Sequence, residues 1–519
     1  MNRKPWSRYF RSDIFFFILL LLQSLFLEYN RTITTEPQGR HKWRQSDCAS
    51  FAWNYAETSA NLFTPHFNNL LWEGDGKVAV EFPIVYWVVG MLYRVFGVHP
   101  VIFRLINLLL GFWGLWALFR IFKSSLKDNF YPVVLTLLFF TSPVLVFYLQ
   151  NFLPDVPSLA LALVGWYQVY RHAQEKNHRA WTWAMILFTL STLIKASAGI
   201  NLVMLIALVL IEKADWVQWK QVGNAFWAEN KNYLVSLLGS FVVIISWYNY
   251  ASWYSTGWER DHFSPLIRPM YEIFPQDFLN ILGIFFTNHL RVLFPSPLLL
   301  MMLVLLGMCF SGFGRRYRLF FTLSLLSLLG SIAYVFIFYE LFVVHDYYLI
   351  VTFIFPAAIL LQSSFMIKDR FPKIFDSWLL NLGLIGLLLF SAYQSRHWLR
   401  HDYFAGGPSR YEKQVFYQAG LQDFLDSVGV EKAQRVISIP DISPNNTLYL
   451  MRRRGWSLAG NPAEMVPPMT RMIYEQGASF LVISEESLLE NKDLAPFLEN
   501  ELGQYNGVWV FDLRHLQPQ

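Results

Sequence analysis

Over most of the first 395 residues the chain alternates long apolar runs with short polar connections. Each run is roughly 15 to 25 residues, the length an α-helix needs to cross a hydrocarbon core of about 30 Å. The pattern predicts eleven spans, at 12–29, 101–120, 130–149, 155–171, 180–195, 197–212, 232–251, 293–313, 319–339, 343–365 and 376–395. A further apolar stretch, Phe82 to Gly97, is short and carries Arg94. After Arg396 the pattern changes. Charges and turn residues become frequent, and β-like runs at Arg435–Ile439, Phe480–Ser484 and Val508–Leu513 alternate with helix-like runs at Tyr411–Ser427 and Asn446–Arg453. The expectation is an all-α polytopic membrane domain over 1–395 followed by a small soluble α/β domain over 396–519.

Composition agrees with a membrane as solvent: 54% of the 519 residues are hydrophobic, 18% aromatic and only 15% charged. The net charge of +5 sits in compact groups between apolar runs, where orientation in the bilayer explains it, so no nucleic-acid partner is expected. Those groups also decide the ambiguous stretch. If Phe82–Gly97 lies along the membrane surface, Arg120/Lys123/Lys127, Arg171/Lys176/Arg179, Arg315/Arg316/Arg318 and Lys368/Arg370/Lys373 fall on the cytoplasmic side, with Lys213, Lys220 and Lys231. The short opposite connections, Asn151–Pro154 and Glu340–Val344, then hold no Lys or Arg. The N-terminus is accordingly cytoplasmic. Residues 29–100, Ala251–Val292 and everything after Arg396 are extracytoplasmic. Cys48 and Cys309 lie in dissimilar settings and suggest neither a disulfide framework nor a cysteine metal site.

Ionisable groups beside a membrane are costly and point to function. Four places stand out. His41-Lys42-Trp43-Arg44-Gln45-Ser46-Asp47 gathers cations and one carboxylate, which reads as an anion site beside a general base or as a solvated loop whose charges pair among themselves. Asp155, in Asn151-Phe152-Leu153-Pro154-Asp155-Val156-Pro157, suits a helix start and could also orient a sugar hydroxyl, a base or a metal ion. Lys195 is the lone cation between two apolar runs on the outer side, either snorkelling to headgroups or holding a phosphate. Val344-His345-Asp346-Tyr347-Tyr348 would form a lip for sugar or phosphate, or an interfacial aromatic belt. Glu57, Asp75, Arg260, Asp261 and His262 are weaker candidates in the same outer segments.

Together, over roughly residues 10–365, these residues resemble the membrane glycosyltransferases of the protein O-mannosyltransferase and aminoarabinose transferase type, which share the GT-C fold. The resemblance is carried by the acidic Asp47 early in the first outer loop, and by Glu81-Phe82-Pro83 before Tyr86-Trp87. Phe103-Arg104-Leu105, Ser142-Pro143 with Asp155, Lys195, and Tyr347-Tyr348-Leu349 with Pro356 complete it. The chain departs from the family pattern in two places. Cys48 follows Asp47 where the family has an Asp-Glu pair, and Glu81-Phe82-Pro83 stands in place of Lys-Pro-Pro.

The resemblance implies inverting transfer of a sugar from a polyprenyl-phosphate donor to a hydroxyl on a lipid, glycan or protein acceptor. Asp47 is then the general base and Asp155 a second catalytic acid residue. Arg44, Lys195 and His345 would stabilise the leaving phosphate, with Lys42, Glu81, Asp346 and Tyr347 completing the donor site. If a divalent metal takes part, Asp47 and Asp155 would be its ligands. The short loops and basic N-terminus fit a bacterial inner membrane with a periplasmic site. A transporter or flippase is the other reading. It would place charges near helix midpoints and show repeated halves, whereas here the charges fall at outer edges and no repeat is evident.

Overall fold

The computed structural model describes residues 6–214, 232–255, 269–403, 416 and 420–518. Lys220, Lys231, Arg260, Asp261, His262 and most of the run at 411–420 lie outside the described residues. The chain packs as two compact units that interleave along the sequence: Met1–Ile33, Arg104–Trp247 and Leu266–Tyr403 form the first, and Thr34–Phe103, Tyr248–Pro265 and Phe404–Gln519 the second.

A helix stands at each of the eleven predicted spans. Six are by themselves long and apolar enough to cross a membrane, or eight if two bent pairs each count as one span. The other three are shorter, at Ser12–Phe26 and His178–Ile194, or more polar, at Asp155–Glu175. Both bends have prolines at the break. Tyr131–Phe139 turns by 82° into Pro143–Leu149, and Pro275–Leu293 turns by 102° into Ser296–Phe310 after Pro295.

In the first unit the helices Asp155–Glu175 and His178–Ile194 pack along their length, reversing at Asn177, whose side chain caps the second helix by accepting from the amides of Arg179 and Ala180. Close approach relies on small residues. A Cβ at Gly114 in the helix Pro100–Leu126 would sit 2.7 Å from the Ala160 Cα, so this helix and Asp155–Glu175 touch backbone to backbone. Hydroxyl rungs bridge neighbouring helices: Ser158 bonds the Ser191 carbonyl at 2.9 Å, and Thr189 bonds Ser240 at 2.8 Å.

The second unit pairs the helices Lys42–Glu57 and Ile84–Phe96. The latter, with 13 residues, spans about 20 Å, too short to cross the membrane. It buries one stripe, Val85, Tyr86, Val89, Gly90 and Tyr93, and a Cβ at Gly90 would collide with Tyr55 at 2.4 Å. The C-terminal residues form a five-stranded sheet, with β1 Arg435–Ile439, β2 Arg454–Ser457, β3 Phe480–Ile483, β4 Glu501–Tyr505 and β5 Val508–Asp512. The strand order is β2-β1-β3-β5-β4. β1 is parallel to both β2 and β3, while β5 runs antiparallel to β3 and β4. The helix Pro462–Tyr474 covers one face through Met465, Met469, Met472 and Ile473. The short helix Asn446–Met451 packs on Lys42–Glu57, with Ser46 donating to the Asn446 carboxamide at 2.7 Å. Asn445 and Asn446 are therefore buried packing groups, not exposed glycosylation acceptors.

Candidate functional site

In the second unit the chemistry gathers at the N-terminal half of the helix Lys42–Glu57. Asp47 is 5% exposed, and its Oδ1 is buried with no hydrogen-bond partner among the described residues. Burial pushes its carboxyl up to about 7, with Glu81 and Asp441 adding to the rise and Arg44 opposing it. Arg44 binds Glu81 Oε1 at 2.7 Å, and the Tyr86 hydroxyl donates to the same oxygen at 2.5 Å. Tyr86 also reaches Cys48 Sγ at 3.3 Å, where burial pushes the thiol up to about 12, so Cys48 stays protonated. Lys42 is half-buried, which lowers its ammonium pKa against the pull of Asp441. Asp441 lies just beyond β1. One of its oxygens accepts from the amide and hydroxyl of Ser443, the other from the amide and hydroxyl of Thr447. Burial still raises its pKa.

In the first unit the sequence stretch 150–155 is fixed before it delivers its carboxylate. Arg104, 1% exposed, donates to the Gln150 carbonyl at 2.6 Å and lies over the Phe152 ring at 4.5 Å. Asn107 donates to the carbonyls of Asn151 and Leu153. Asp155 then opens its helix with Oδ1 3.0 Å from Lys195 Nζ. The Lys195 ammonium also lies 4.9 Å from the centre of the Tyr348 ring and 5.3 Å from that of Tyr347, a partly aromatic cage for a cation. His345 stacks obliquely on the same two tyrosines, at 5.2 and 5.7 Å. Asp346 points away into the core, fully buried, and accepts from the Tyr148 hydroxyl at 2.7 Å. A small cavity beside the pair is lined by Asp155, Ser158, Lys195 and Asn201.

Residues 80–248 match the family described as dolichyl-phosphate-mannose-protein mannosyltransferase. No curated protein matches the chain as a sequence. Its structure is similar along nearly its whole length to ArnT from Cupriavidus metallidurans. In the apo state the TM-score is 0.56 at 13% identity, covering 98% of this chain and 99% of that one. Bound to undecaprenyl phosphate the TM-score is 0.57 at 14% identity, covering 95% and 97%. The chain has the GT-C glycosyltransferase fold. A third similarity, to the Archaeoglobus fulgidus oligosaccharyltransferase in complex with Zn and sulfate, has a TM-score of 0.52 at 12% identity over 90% of this chain and 67% of that one.

On this GT-C frame the residues expected from sequence divide into two sets. Lys42, Arg44, Asp47 and Glu81 belong to the second unit; Asp155, Lys195, His345, Asp346 and Tyr347 belong to the first. Among the described residues, no three His, Cys, Asp or Glu side chains come together as a metal site. Sequence reasoning passed over Asp441 and Tyr148, and it named Tyr86 and Tyr348 only as parts of motifs, with no partner of their own. Asp441 had a signal: it begins a polar Asp-Ile-Ser-Pro-Asn-Asn turn directly after a buried strand, the place where α/β sheets put functional groups. Tyr148 had none, because its role depends on which helix it faces.

Proposed function

We propose that the chain transfers a sugar from a polyprenyl-phosphate donor to an acceptor hydroxyl, with inversion, on the extracytoplasmic side of a bacterial inner membrane. The observation that carries this reading is Asp47. A buried carboxyl with an orphaned oxygen and a pKa near 7 is poised to take a proton at neutral pH. In the proposed reaction the acceptor hydroxyl attacks the anomeric carbon of the sugar while Asp47 removes its proton. The C–O bond to the lipid phosphate breaks, and the electron pair leaves with the phosphate. Lys195 is assigned to that phosphate, because a cation held at an aromatic and carboxylate lip can meet charge as it develops on the leaving oxygen. Asp155 positions Lys195, and Arg44, fixed by Glu81, supplies positive potential beside the base. The ArnT structure with undecaprenyl phosphate supports a lipid-phosphate donor, and the matched mannosyltransferase family supports hexose transfer. Pentose donors belong in the same test.

The test is turnover of a panel of polyprenyl-phosphate hexoses and pentoses by the purified full chain in nanodiscs, with membrane extract as acceptor and mass spectrometry as readout. Wild-type protein is expected to release polyprenyl phosphate from at least one donor, and Asp47→Asn to do so about 10³-fold more slowly. A folded wild type that consumes no donor, or an Asp47→Asn variant that matches it, would overturn the assignment.

A further inference from the structure

The second unit contains a cavity of about 450 Å³ that the proposed reaction does not use. It opens where ligands of α/β sheets bind, beyond the carboxyl ends of the parallel strands β1 and β2. Its wall is formed by Ser443 and Pro444 after β1, Leu458 and Ala459 after β2, and Trp72 with Arg471. Trp72 is the informative residue. It is 54% exposed, yet the loop that carries it is held firmly in place. Leu70 donates to the Gly455 carbonyl at 2.7 Å, Gly76 donates to Leu70 at 2.9 Å, and Gln476 donates to the Trp72 carbonyl at 2.6 Å. Gly76 has φ +69°, and a Cβ there would lie 2.9 Å from the Phe67 carbonyl, so the tight turn requires glycine. Below it, Trp456 is buried and donates from Nε1 to the Leu71 carbonyl at 2.8 Å.

This loop therefore presents a large flat apolar ring to solvent on a rigid mount, a placement that adds little to the core. The Arg471 guanidinium lies 3.8 Å from the ring centre and is itself bound to Glu475 at 3.0 Å, so the indole is fixed in orientation as well. Around it stand hydroxyl and amide side chains, Ser443, Ser457, Asn69 and Gln476. A flat aromatic platform ringed by planar and hydroxylic polar groups matches the alternating C–H faces and equatorial hydroxyls of a sugar ring. The stretches after β1 and β2, Asp-Ile-Ser-Pro and Leu-Ala-Gly-Asn, are not the glycine-rich phosphate turn of P-loop and dinucleotide-binding sites.

We propose that this cavity is a saccharide-binding subsite, with Trp72 as the stacking platform, which holds a sugar residue of the acceptor. That the sugar belongs to the acceptor rests on the transfer reading above; that the cavity binds saccharide does not. The full chain in nanodiscs would be tested by saturation-transfer NMR against a panel of methyl glycosides and disaccharides of hexoses and N-acetylhexosamines. Wild type is expected to saturate ring protons of at least one probe, with binding weakened about tenfold in Trp72→Ala. Trp72→Phe, which keeps an aromatic face on the same loop, should retain most of the binding and decides the matter if Trp72→Ala does not fold. Absence of binding to every probe, or equal binding by wild type and Trp72→Ala, would overturn the subsite. Release of donor sugar to water should be unchanged in Trp72→Ala, while its KM for acceptor rises. Bound saccharide with acceptor KM unaltered would overturn the acceptor assignment, and loss of all donor turnover by wild type would count against the transfer reading instead.

Discussion

Asp47 and Asp155 are each 5% exposed aspartates, yet their surroundings give them opposite characters. Asp155 has an ammonium 3.0 Å away and works as half of an ion pair at a helix start. Among the described residues Asp47 makes no such pair. Its cationic neighbour Arg44 is bound to Glu81, and burial dominates, raising its pKa to about 7. Burial alone thus does not identify a base. What separates a proton acceptor from a positioning group is whether a counterion is committed to it. The comparison makes distinct predictions for the two residues.

The largest effect is expected from Asp47→Asn. Losing the general base should lower kcat/KM by roughly 10³-fold with little change in donor KM, measured by release of polyprenyl phosphate. Equal loss from Asp155→Asn and full retention by Asp47→Asn would reverse the two roles.

Lys195→Met should come next, at about 10²-fold in kcat, and it should also lower the melting temperature, because it leaves the Asp155 carboxylate buried without its cation. The double variant Lys195→Met/Asp155→Asn should regain stability but not activity. If it regains both, Lys195 serves only the fold. If stability does not return, the ion pair is not what makes the single variant unstable.

A smaller effect concerns stability and pH. The Asp47 carboxyl is raised from 3.8 to about 7 in the folded protein, so the folded state holds this proton more tightly than the unfolded state. Its contribution to stability is complete below about pH 4 and is lost as pH rises to about 7. Asn at this position carries no such cost. The melting temperature of Asp47→Asn relative to wild type should therefore climb between pH 4 and 7 and level off above. A difference that does not change with pH would show that Asp47 is not a perturbed carboxyl.

Much of the membrane region is legible in the sequence because one physical requirement, about 20 apolar residues per span, governs it. The pattern placed a helix at all eleven positions, and the ambiguous apolar stretch holds a helix of only 13 residues, Ile84–Phe96. In the C-terminal region the helix Asn446–Met451 was legible, and strands were legible where most of their positions are buried. β1, β3 and β5 show as apolar runs, while β2, Arg-Gly-Trp-Ser, and β4, Glu-Leu-Gly-Gln-Tyr, do not. The helix Pro462–Tyr474 was hidden by Pro467 and Pro468, which read as breakers, although its methionines recur at helical spacing. At the site, residue type and membrane side singled out Asp47 and Lys195. Pairing did not show, because Arg44–Glu81 spans 37 positions and Tyr148–Asp346 spans 198. Ion pairs between distant segments are set by how helices pack, and no local pattern encodes them.

The smallest predicted effect tests that Arg44–Glu81 contact. As a base, Asp47 must be deprotonated, so kcat/KM should rise with pH below about 7 and flatten above it. Glu81 helps to hold the Asp47 pKa up, and Arg44 opposes it. Glu81→Gln removes the negative charge and leaves Arg44 opposed only by a neutral amide. Both changes favour ionised Asp47. The midpoint of the acidic limb should therefore move to lower pH, by a fraction of a unit to about one unit. Arg44→Gln should move it the other way. Because Glu81→Gln is isosteric and the two variants change the local charge in opposite directions, shifts of opposite sign would be electrostatic in origin. Coincident midpoints in all three proteins would mean that the limb reports another group, and Asp47 would lose its place as the base that sets the pH profile.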